Sequence, residues 1–137
     1  MASRLNPYLT FNGNAREAME VYQRIFGGDL TLSTFSEFGA PDPAIADQIM
    51  HGQLETDAGY TLMGADNPPG SDYNPGNTIT ISLSGDDAAD LHRYWEALIE
   101  GGTVTVPLEK QMWGDEFGQC IDRFGVGWLI NIGQAPA

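Results

Sequence analysis

The sequence of 137 residues predicts an α+β fold in which one domain, residues 1–137, contains two modules with the order strand, helix, strand, strand, strand. A helical pattern that ends in a Gly-Gly pair and leads into an alternating apolar run occurs twice, as YQRIFGGDLTL at 22–32 and as YWEALIEGGTVTV at 94–106. The dipeptide Gly-Gln also occurs in the third predicted strand of each module. Because these signals recur in the same order, we interpret residues 5–66 and 78–133 as an internal repeat.

The first module begins with a strand and an amphipathic helix. LNPYLTF at 5–11 alternates and predicts the strand. Asn14 is predicted to cap the helix, and Glu17 completes a capping-box pair with it. Gly27 and Gly28 supply the backbone freedom that ends the helix. The spacing of its apolar side chains predicts one buried stripe, made of Ala18, Val21, Tyr22, Ile25 and Phe26.

Three further strands complete the first module. LTLSTFSE at 30–37 alternates as a half-buried strand, and the two prolines in 36–48 indicate a long loop. IMHGQLET at 49–56 and YTLMGAD at 60–66 predict two strands joined by a tight turn. Segment 67–77 has three prolines and no apolar period, so we interpret it as the linker between the modules.

The second module repeats this order. TITISL at 78–83 predicts a strand, and the helix that follows is expected to be capped by Asp86 or Asp87. The buried stripe of this helix is predicted to contain Leu91, Tyr94, Trp95 and Leu98. His92 falls on the exposed side of the same helix, where no function is expected. TVTVPLE, FGQCIDR and GWLINI then predict three strands.

Composition limits the classes of partner. The net charge of −13 repels phosphate backbones and anionic membrane surfaces, so we expect neither nucleic acid nor a membrane as partner. The sequence has no apolar run of the ~18 residues needed to span a membrane and no secretory signal, which predicts a cytoplasmic protein. Its one cysteine, Cys120, excludes an intramolecular disulfide.

Several phrases resemble the vicinal oxygen chelate superfamily, which includes glyoxalase I, bleomycin-resistance proteins and extradiol dioxygenases. YLTFNGNAREAMEVYQRIFGG, MHGQLE, LMGAD and ALIEGGTVTVPLEKQMWGDEFGQCIDRFGVGWLINI are similar to its PhnB-like branch, often described as 3-demethylubiquinone methyltransferase-related. The resemblance spans nearly the whole chain. It implies that each module curls its mixed sheet into a glyoxalase-like half-barrel, that the two half-barrels enclose a shared cavity, and that the protein is a homodimer.

The resemblance also implies a divalent metal, held by one residue on the first strand and one on the last strand of each module. These ligands are usually His, Glu or Gln. By alignment the positions are Asn6 or Pro7, Met63, Thr78 and Asn131. Thioether, hydroxyl and amide groups bind borderline divalent cations poorly, so we expect no metal at these positions and no other cofactor. The alternative is a metal-dependent lyase, isomerase or dioxygenase that uses His51 and Glu55 as ligands.

His51 and Glu55 are the candidate catalytic residues. The two-residue period of a strand places both, together with Gln53, on one strand face. A histidine there can act as a general base near neutral pH or bind a metal ion. The other interpretation is a hydrogen-bonded histidine on a solvated strand face.

The remaining candidates are predicted to contact a small organic ligand; they are Tyr8, Met63, Thr80, Trp113, Phe117 and Asn131. Trp113 and Phe117 are flat walls for a ligand, although Trp113 can instead cover one end of the barrel. Tyr8 and Thr80 are placed at equivalent positions of the two modules. The leading prediction is therefore a small-molecule-binding protein with an aromatic-edged cavity and without the usual metal site. Whether it is an enzyme is left open.

Overall fold

A computed structural model describes residues 3–39, 43–68 and 70–134 and divides the chain into two compact units, Met1–Asn74 and Pro75–Ala137. Unit 1 contains β1 (Tyr8–Phe11), α1 (Ala15–Phe26), β2 (Asp29–Thr34), a 3₁₀ turn (Ser36–Phe38), β3 (Ile49–Glu55) and β4 (Thr61–Asp66). Unit 2 contains β5 (Ile81–Gly85), α2 (Ala88–Ile99), β6 (Thr103–Lys110), β7 (Glu116–Ile121) and β8 (Gly127–Ile132). The predicted α+β fold of two βαβββ modules is confirmed.

The division between the units, after Asn74, falls inside the predicted linker 67–77. Four of the sequence predictions extend over residues outside the described part of the chain: the loop 36–48, the first module 5–66, the linker 67–77 and the domain 1–137. Neither helix of the described part combines the length and the apolar character that crossing a membrane requires.

Each unit is one mixed sheet covered by one helix. The strand orders are β1-β4-β3-β2 and β5-β8-β7-β6, and only the pairs β1–β4 and β5–β8 are parallel. α1 packs on β2, β3 and β4, and α2 packs on β5, β7 and β8. The stripe predicted for α2 is buried in full, whereas in α1 Met19 is buried and Val21 is only half-buried. The helix covers one face of each sheet.

The repeated Gly-Gly pairs have the same structural role in both units. Gly27 and Gly101, the first members, have φ values of 73° and 74°, which lie in the left-handed region that glycine favours. A β-carbon on the second member, Gly28, would overlap the carbonyl oxygen of Glu55. Gly102 has the same relation to the carbonyl of Ile121. Each pair therefore turns the chain out of the helix and past the backbone at the end of a strand.

The structure confirms Asn14 and Asp87 as the N-cap residues of the two helices but not the capping by their side chains. The side chain of Asn14 makes no capping hydrogen bond, and Asp87, the N-cap residue of α2, makes none either. At the start of α1 the cap comes from β4, because Oδ1 of Asp66 accepts the amide of Ala15 at 2.9 Å. The other oxygen of Asp66 accepts the amide of Ile49 at 2.8 Å. A carboxylate distant in sequence has taken the role predicted for Asn14.

The strand predicted at 78–83 begins later, at Ile81. Thr78 and Thr80 therefore precede the strand, and both are exposed. The β-branched run that predicted the strand does not pair along its whole length, because its register with β8 begins at Ile81, opposite Trp128.

Candidate functional site

The sheet of unit 1 has an apolar face under α1 and an open face with polar character. Along β3, Gly52 and Leu54 are buried, whereas His51, Gln53 and Glu55 on the other side are half-buried. We call this open side the unit 1 polar face and define it by Tyr8, His51, Gln53, Glu55 and Met63. Tyr8 lies opposite Met63, and Met63 lies opposite Gln53 in the strand register.

Four side chains on the unit 1 polar face form one hydrogen-bonded chain. Oη of Tyr8 lies 3.2 Å from Nδ1 of His51. Nε2 of His51 lies 3.3 Å from Oε1 of Gln53, and Nε2 of Gln53 donates to Oε1 of Glu55 at 2.6 Å. The chain joins β1 to β3 and brings together three of the residues predicted from sequence, Tyr8, His51 and Glu55.

The chain has a definite direction when His51 is neutral. An ionised carboxylate can only accept hydrogen bonds, so Gln53 presents its amide group to Glu55 and its carbonyl oxygen to His51. His51 must then carry its proton on Nε2, because that nitrogen faces an acceptor. Its Nδ1 is left as an acceptor for the hydroxyl of Tyr8. Each hydrogen bond in the chain is thus donated in the direction from Tyr8 to Glu55.

The surroundings of Glu55 keep it ionised. Hydrogen bonds from Thr61 and Gln53, together with the charge of Arg4, lower the pKa of Glu55. Thr61 donates to Oε2 of Glu55 at 2.6 Å, and Arg4 lies 3.5 Å from the same oxygen while its guanidinium also donates to the hydroxyl of Thr61. Burial raises the pKa of Tyr8, which therefore remains a neutral phenol.

The donors expected for a metal do not converge on one point. His51 and Glu55 are four residues apart on one strand, a rise of roughly 13 Å, and Gln53 lies between them in the hydrogen-bonded chain. Within residues 3–39, 43–68 and 70–134 no group of three or more His, Cys, Asp or Glu side chains is arranged to hold a metal ion. His51 and Glu55, as they are arranged here, do not form the metal site that the alternative function requires, and we derive no chemical step through a metal.

Unit 2 brings three of its predicted site residues together. The rings of Trp113 and Phe117 lie 6.2 Å apart between centroids and meet at 65°. Asn131 lies opposite Phe117 in the register and donates to Oδ2 of Asp115 at 3.1 Å. Trp113 is 63 % exposed, so its indole is available to a ligand. We call these four residues the unit 2 aromatic cluster.

Thr80 is not part of such a group, and its predicted equivalence to Tyr8 is wrong. In unit 1, the strand register that begins at Gly52 of the Gly-Gln pair crosses β4 and reaches β1 at the residue after Tyr8. In unit 2, the register that begins at Gly118 crosses β8 and reaches β5 at the residue after Ser82. The counterpart of Tyr8 is therefore Ser82. The alignment of the two modules by sequence missed this equivalence, because the segments that precede β1 and β5 differ.

The sequence prediction missed several members of the site. Gln53 joins the two candidate catalytic residues, and strand periodicity had already placed it on their face. Arg4 and Thr61 offered no local signal, because only folding brings them to Glu55. His92 was expected to be exposed and without a role, but it is half-buried and its Nε2 lies 3.2 Å from Glu116.

A separate open groove of about 510 Å³ lies beside α1 in unit 1. Its lining includes charged side chains of α1 and polar side chains from the segment before β3, among them Arg16, Glu20, Arg24, Asp47 and Gln48. None of the residues predicted to bind a ligand lines this groove. It is a competing location for a ligand, and experiments on the polar face need a control there.

Comparison with known proteins identifies similar sequences and folds. A family model described as 3-demethylubiquinone-9 3-methyltransferase matches residues 3–131. The chain is 40 % identical to protein PA1353 from Pseudomonas aeruginosa, whose crystal structure it matches with a TM-score of 0.86 over 98 % of this chain and 100 % of that one.

Two more distant structures support the fold alone. The putative 3-demethylubiquinone-9 3-methyltransferase, PhnB protein, from Bacillus cereus is 19 % identical, with a TM-score of 0.74 over 96 % of this chain and 100 % of that one. A glyoxylase/bleomycin resistance protein/dioxygenase domain from Frankia sp. EAN1pec is 14 % identical, with a TM-score of 0.65 over 98 % and 99 % of the two chains. The resemblance inferred from the sequence phrases is confirmed.

Proposed function

This chain belongs to the family described as 3-demethylubiquinone-9 3-methyltransferase, and within that family we propose that it is a small-molecule-binding protein whose ligand contacts the unit 1 polar face. The observation that supports this function is the hydrogen-bonded chain from Tyr8 through His51 and Gln53 to Glu55. Ligand sites combine apolar surface with a few polar groups held in fixed positions. Met63 supplies apolar surface in the same row as Tyr8.

The binding function needs no metal ion, because the polar groups are already oriented by one another. Both ring nitrogens of His51 lie within hydrogen-bonding distance of a neighbour, and both oxygens of Glu55 accept hydrogen bonds. Preorganised groups of this kind lower the entropy that is lost when a ligand is bound.

The unit 2 aromatic cluster is proposed as a further ligand-contacting surface. The exposed indole of Trp113 and the ring of Phe117 offer stacking faces, while Asp115 and Asn131 offer polar contacts beside them. An aromatic ligand with a basic group suits this combination, and the net charge of −13 favours cationic over anionic ligands.

We do not extend the methyl transfer in the family's description to this chain. The segment between β1 and α1, residues 12–14, contains one glycine, Gly13. Loops that bind nucleotide cofactors at such a position are rich in glycine, because the backbone has to approach phosphate groups closely.

Binding is tested by NMR titration with three probes: para-fluorophenol, para-fluorobenzylamine and para-fluorobenzoate. We expect at least one probe to shift the amide resonances of β1, β3 and β4. His51→Ala should weaken its binding about tenfold, since the variant loses one oriented polar group and the packing of its ring. Arg24→Gln in the groove beside α1 is the matched control and should bind as the wild type does.

The opposite pattern would contradict the proposal. If no probe shifts the resonances of the sheet, or if binding is sensitive to Arg24→Gln and insensitive to His51→Ala, the unit 1 polar face is not the site. Trp113→Phe, followed by fluorescence, tests the unit 2 aromatic cluster in the same titrations.

The alternative function, a metal-dependent lyase, isomerase or dioxygenase, requires His51 and Glu55 to leave their bonds with Gln53. Elemental analysis of protein purified without chelator separates the two functions. Stoichiometric metal that is lost in both His51→Ala and Glu55→Gln would favour the enzyme.

We further propose a homodimer in the cytoplasm. The buried free thiol of Cys120 is consistent with a reducing compartment. Light scattering should give twice the mass of the chain, and a monomeric mass would contradict the dimer.

A further inference from the structure

We propose that the unit 1 polar face selects ligands that present a hydrogen-bond donor, such as a phenol, alcohol or ammonium group, to the phenol oxygen of Tyr8. The inference rests on the proposed function and adds the chemical class of the ligand. It follows from the direction of the hydrogen bonds among Tyr8, His51, Gln53 and Glu55.

The direction is set at Glu55. Its two oxygens accept hydrogen bonds from Gln53 and Thr61, and Arg4 lies beside them as a cation. These contacts lower the pKa of Glu55, so the carboxylate is ionised and has no proton to give. Gln53 can meet it only with the amide group, which commits the carbonyl oxygen of Gln53 to the other side.

The imidazole of His51 then fixes the direction of its hydrogen bond with Tyr8. Nε2 of neutral His51 donates to the carbonyl oxygen of Gln53, so Nδ1 has a lone pair and no proton. Tyr8 has one hydroxyl proton, and that proton is donated to Nδ1 across 3.2 Å. Tyr8 therefore has no second proton to offer a ligand.

The phenol oxygen of Tyr8 keeps its acceptor capacity. Tyr8 is 51 % exposed, so a ligand on the polar face can reach it. Burial of the rest of the side chain raises the pKa of Tyr8, which keeps the group a neutral phenol at physiological pH. A ligand hydroxyl or ammonium completes the chain by donating to this oxygen. An ether, ketone or carboxylate at the same point meets lone pairs, and it can be accommodated only if the bond between Tyr8 and His51 breaks.

The experiment compares two probes that share one ring, para-fluorophenol and para-fluoroanisole, by fluorine NMR. The phenol has a donor, and the ether has only an acceptor. We expect wild-type protein to prefer the phenol about fivefold, which corresponds to one net hydrogen bond. Tyr8→Phe should remove this preference while both probes still bind. Comparing the ratio between wild type and variant cancels the difference in hydration of the probes.

A second variant reverses the direction of the chain. In the double variant Gln53→Glu with Glu55→Gln, the amide of residue 55 faces the new carboxylate, and that carboxylate faces Nε2 of His51. The carboxylate favours the doubly protonated imidazole, whose Nδ1 then donates to the oxygen of Tyr8. The hydroxyl proton of Tyr8 becomes free for the ligand, so the preference should shift towards para-fluoroanisole. This double variant keeps the size of both side chains, and a thermal melt establishes that each variant is folded.

The outcomes distinguish this inference from the proposed function. If wild type binds both probes equally, or if Tyr8→Phe leaves the preference unchanged, the donor selection is wrong although ligand binding stands. If only para-fluorobenzoate binds to wild type, the donor selection is likewise wrong although ligand binding stands. If none of these probes binds, including para-fluorobenzylamine, the proposed function fails and the inference fails with it.

Discussion

The indole nitrogen of Trp128 donates a hydrogen bond of 2.9 Å to Oδ2 of Asp122, and both side chains are buried. The other carboxylate oxygen, Oδ1, accepts the amides of Phe124 at 2.9 Å and Val126 at 3.0 Å. One side chain thus closes the turn between β7 and β8 and also anchors a fully buried aromatic ring of the unit 2 core.

Replacing Asp122 by alanine should strongly destabilise the protein. The variant loses three hydrogen bonds around a buried site, so we expect a decrease of about 3 kcal/mol or more in the free energy of unfolding. Urea denaturation measures it. The control is Thr56→Ala in the corresponding turn of unit 1, where the Thr56 hydroxyl accepts the amide of Tyr60 at 2.8 Å. That variant should cost about 1 kcal/mol. Equal losses in the two variants would contradict this account.

A second prediction separates the two possible caps of α1. Asp66→Asn keeps the shape of the side chain but has only one acceptor oxygen for the amides of Ala15 and Ile49, so we expect a loss of about 1–2 kcal/mol in unfolding free energy. Asn14→Ala should change stability by less than about 0.5 kcal/mol, because the side chain of Asn14 makes no capping bond. A larger effect at Asn14 than at Asp66 would restore the capping pattern expected from sequence.

The glycine pairs lead to a third prediction. Gly28→Ala places a β-carbon against the carbonyl of Glu55 and 2.7 Å from the α-carbon of Thr56, and φ at Gly28 is 104°. Backbone cannot move aside as a flexible side chain can, so we expect several kcal/mol of destabilisation or loss of soluble protein. Gly59→Ala is the control, because φ there is 92° but no atom lies within 4 Å of the added carbon. Its cost should be about 1–2 kcal/mol, the value of the backbone strain alone. Similar stability of the two variants would disprove the close approach.

The thiol of Cys120 should be unreactive in the native protein. Burial, and secondarily the charge of Asp122, raise its pKa from 9.0 to about 11. The unfolded chain loses this proton at lower pH than the folded chain, so stability should fall as pH rises from about 9 to about 11. A thiol reagent at mildly alkaline pH should react slowly before denaturation and rapidly after it. Cys120→Ala removes this contribution to the alkaline slope of stability, and an unchanged slope would refute the assignment.

Tyr8 should ionise above the ordinary tyrosine value of 10.0, because burial raises its pKa. The difference in tyrosinate absorbance between wild type and Tyr8→Phe isolates this residue from the other four of the five tyrosines. The difference signal should have its midpoint above pH 10.0. A midpoint below that value would contradict the effect of burial on the pKa of Tyr8.

Local patterns predicted most of the fold. The stripe of α2 and the Gly-Gly ends of both helices follow from the spacing of neighbouring residues, and the structure has them as expected. The capping bond predicted for the side chain of Asn14 was wrong, although Asn14 is the N-cap residue of α1. Local capping rules do not include a distant competitor, and Asp66 arrives from the last strand of the unit.

The sequence by itself determined which strand face His51, Gln53 and Glu55 share, because alternation along a strand depends only on neighbouring residues. Only the tertiary structure decided that Tyr8 meets His51, 43 residues away, and that Arg4 meets Thr61, 57 residues away. These contacts depend on how β1, β3 and β4 align, and a shift of two residues in that register would replace the partners while leaving the alternation unchanged. The direction of the hydrogen bonds, and with it the class of ligand, follows from that alignment.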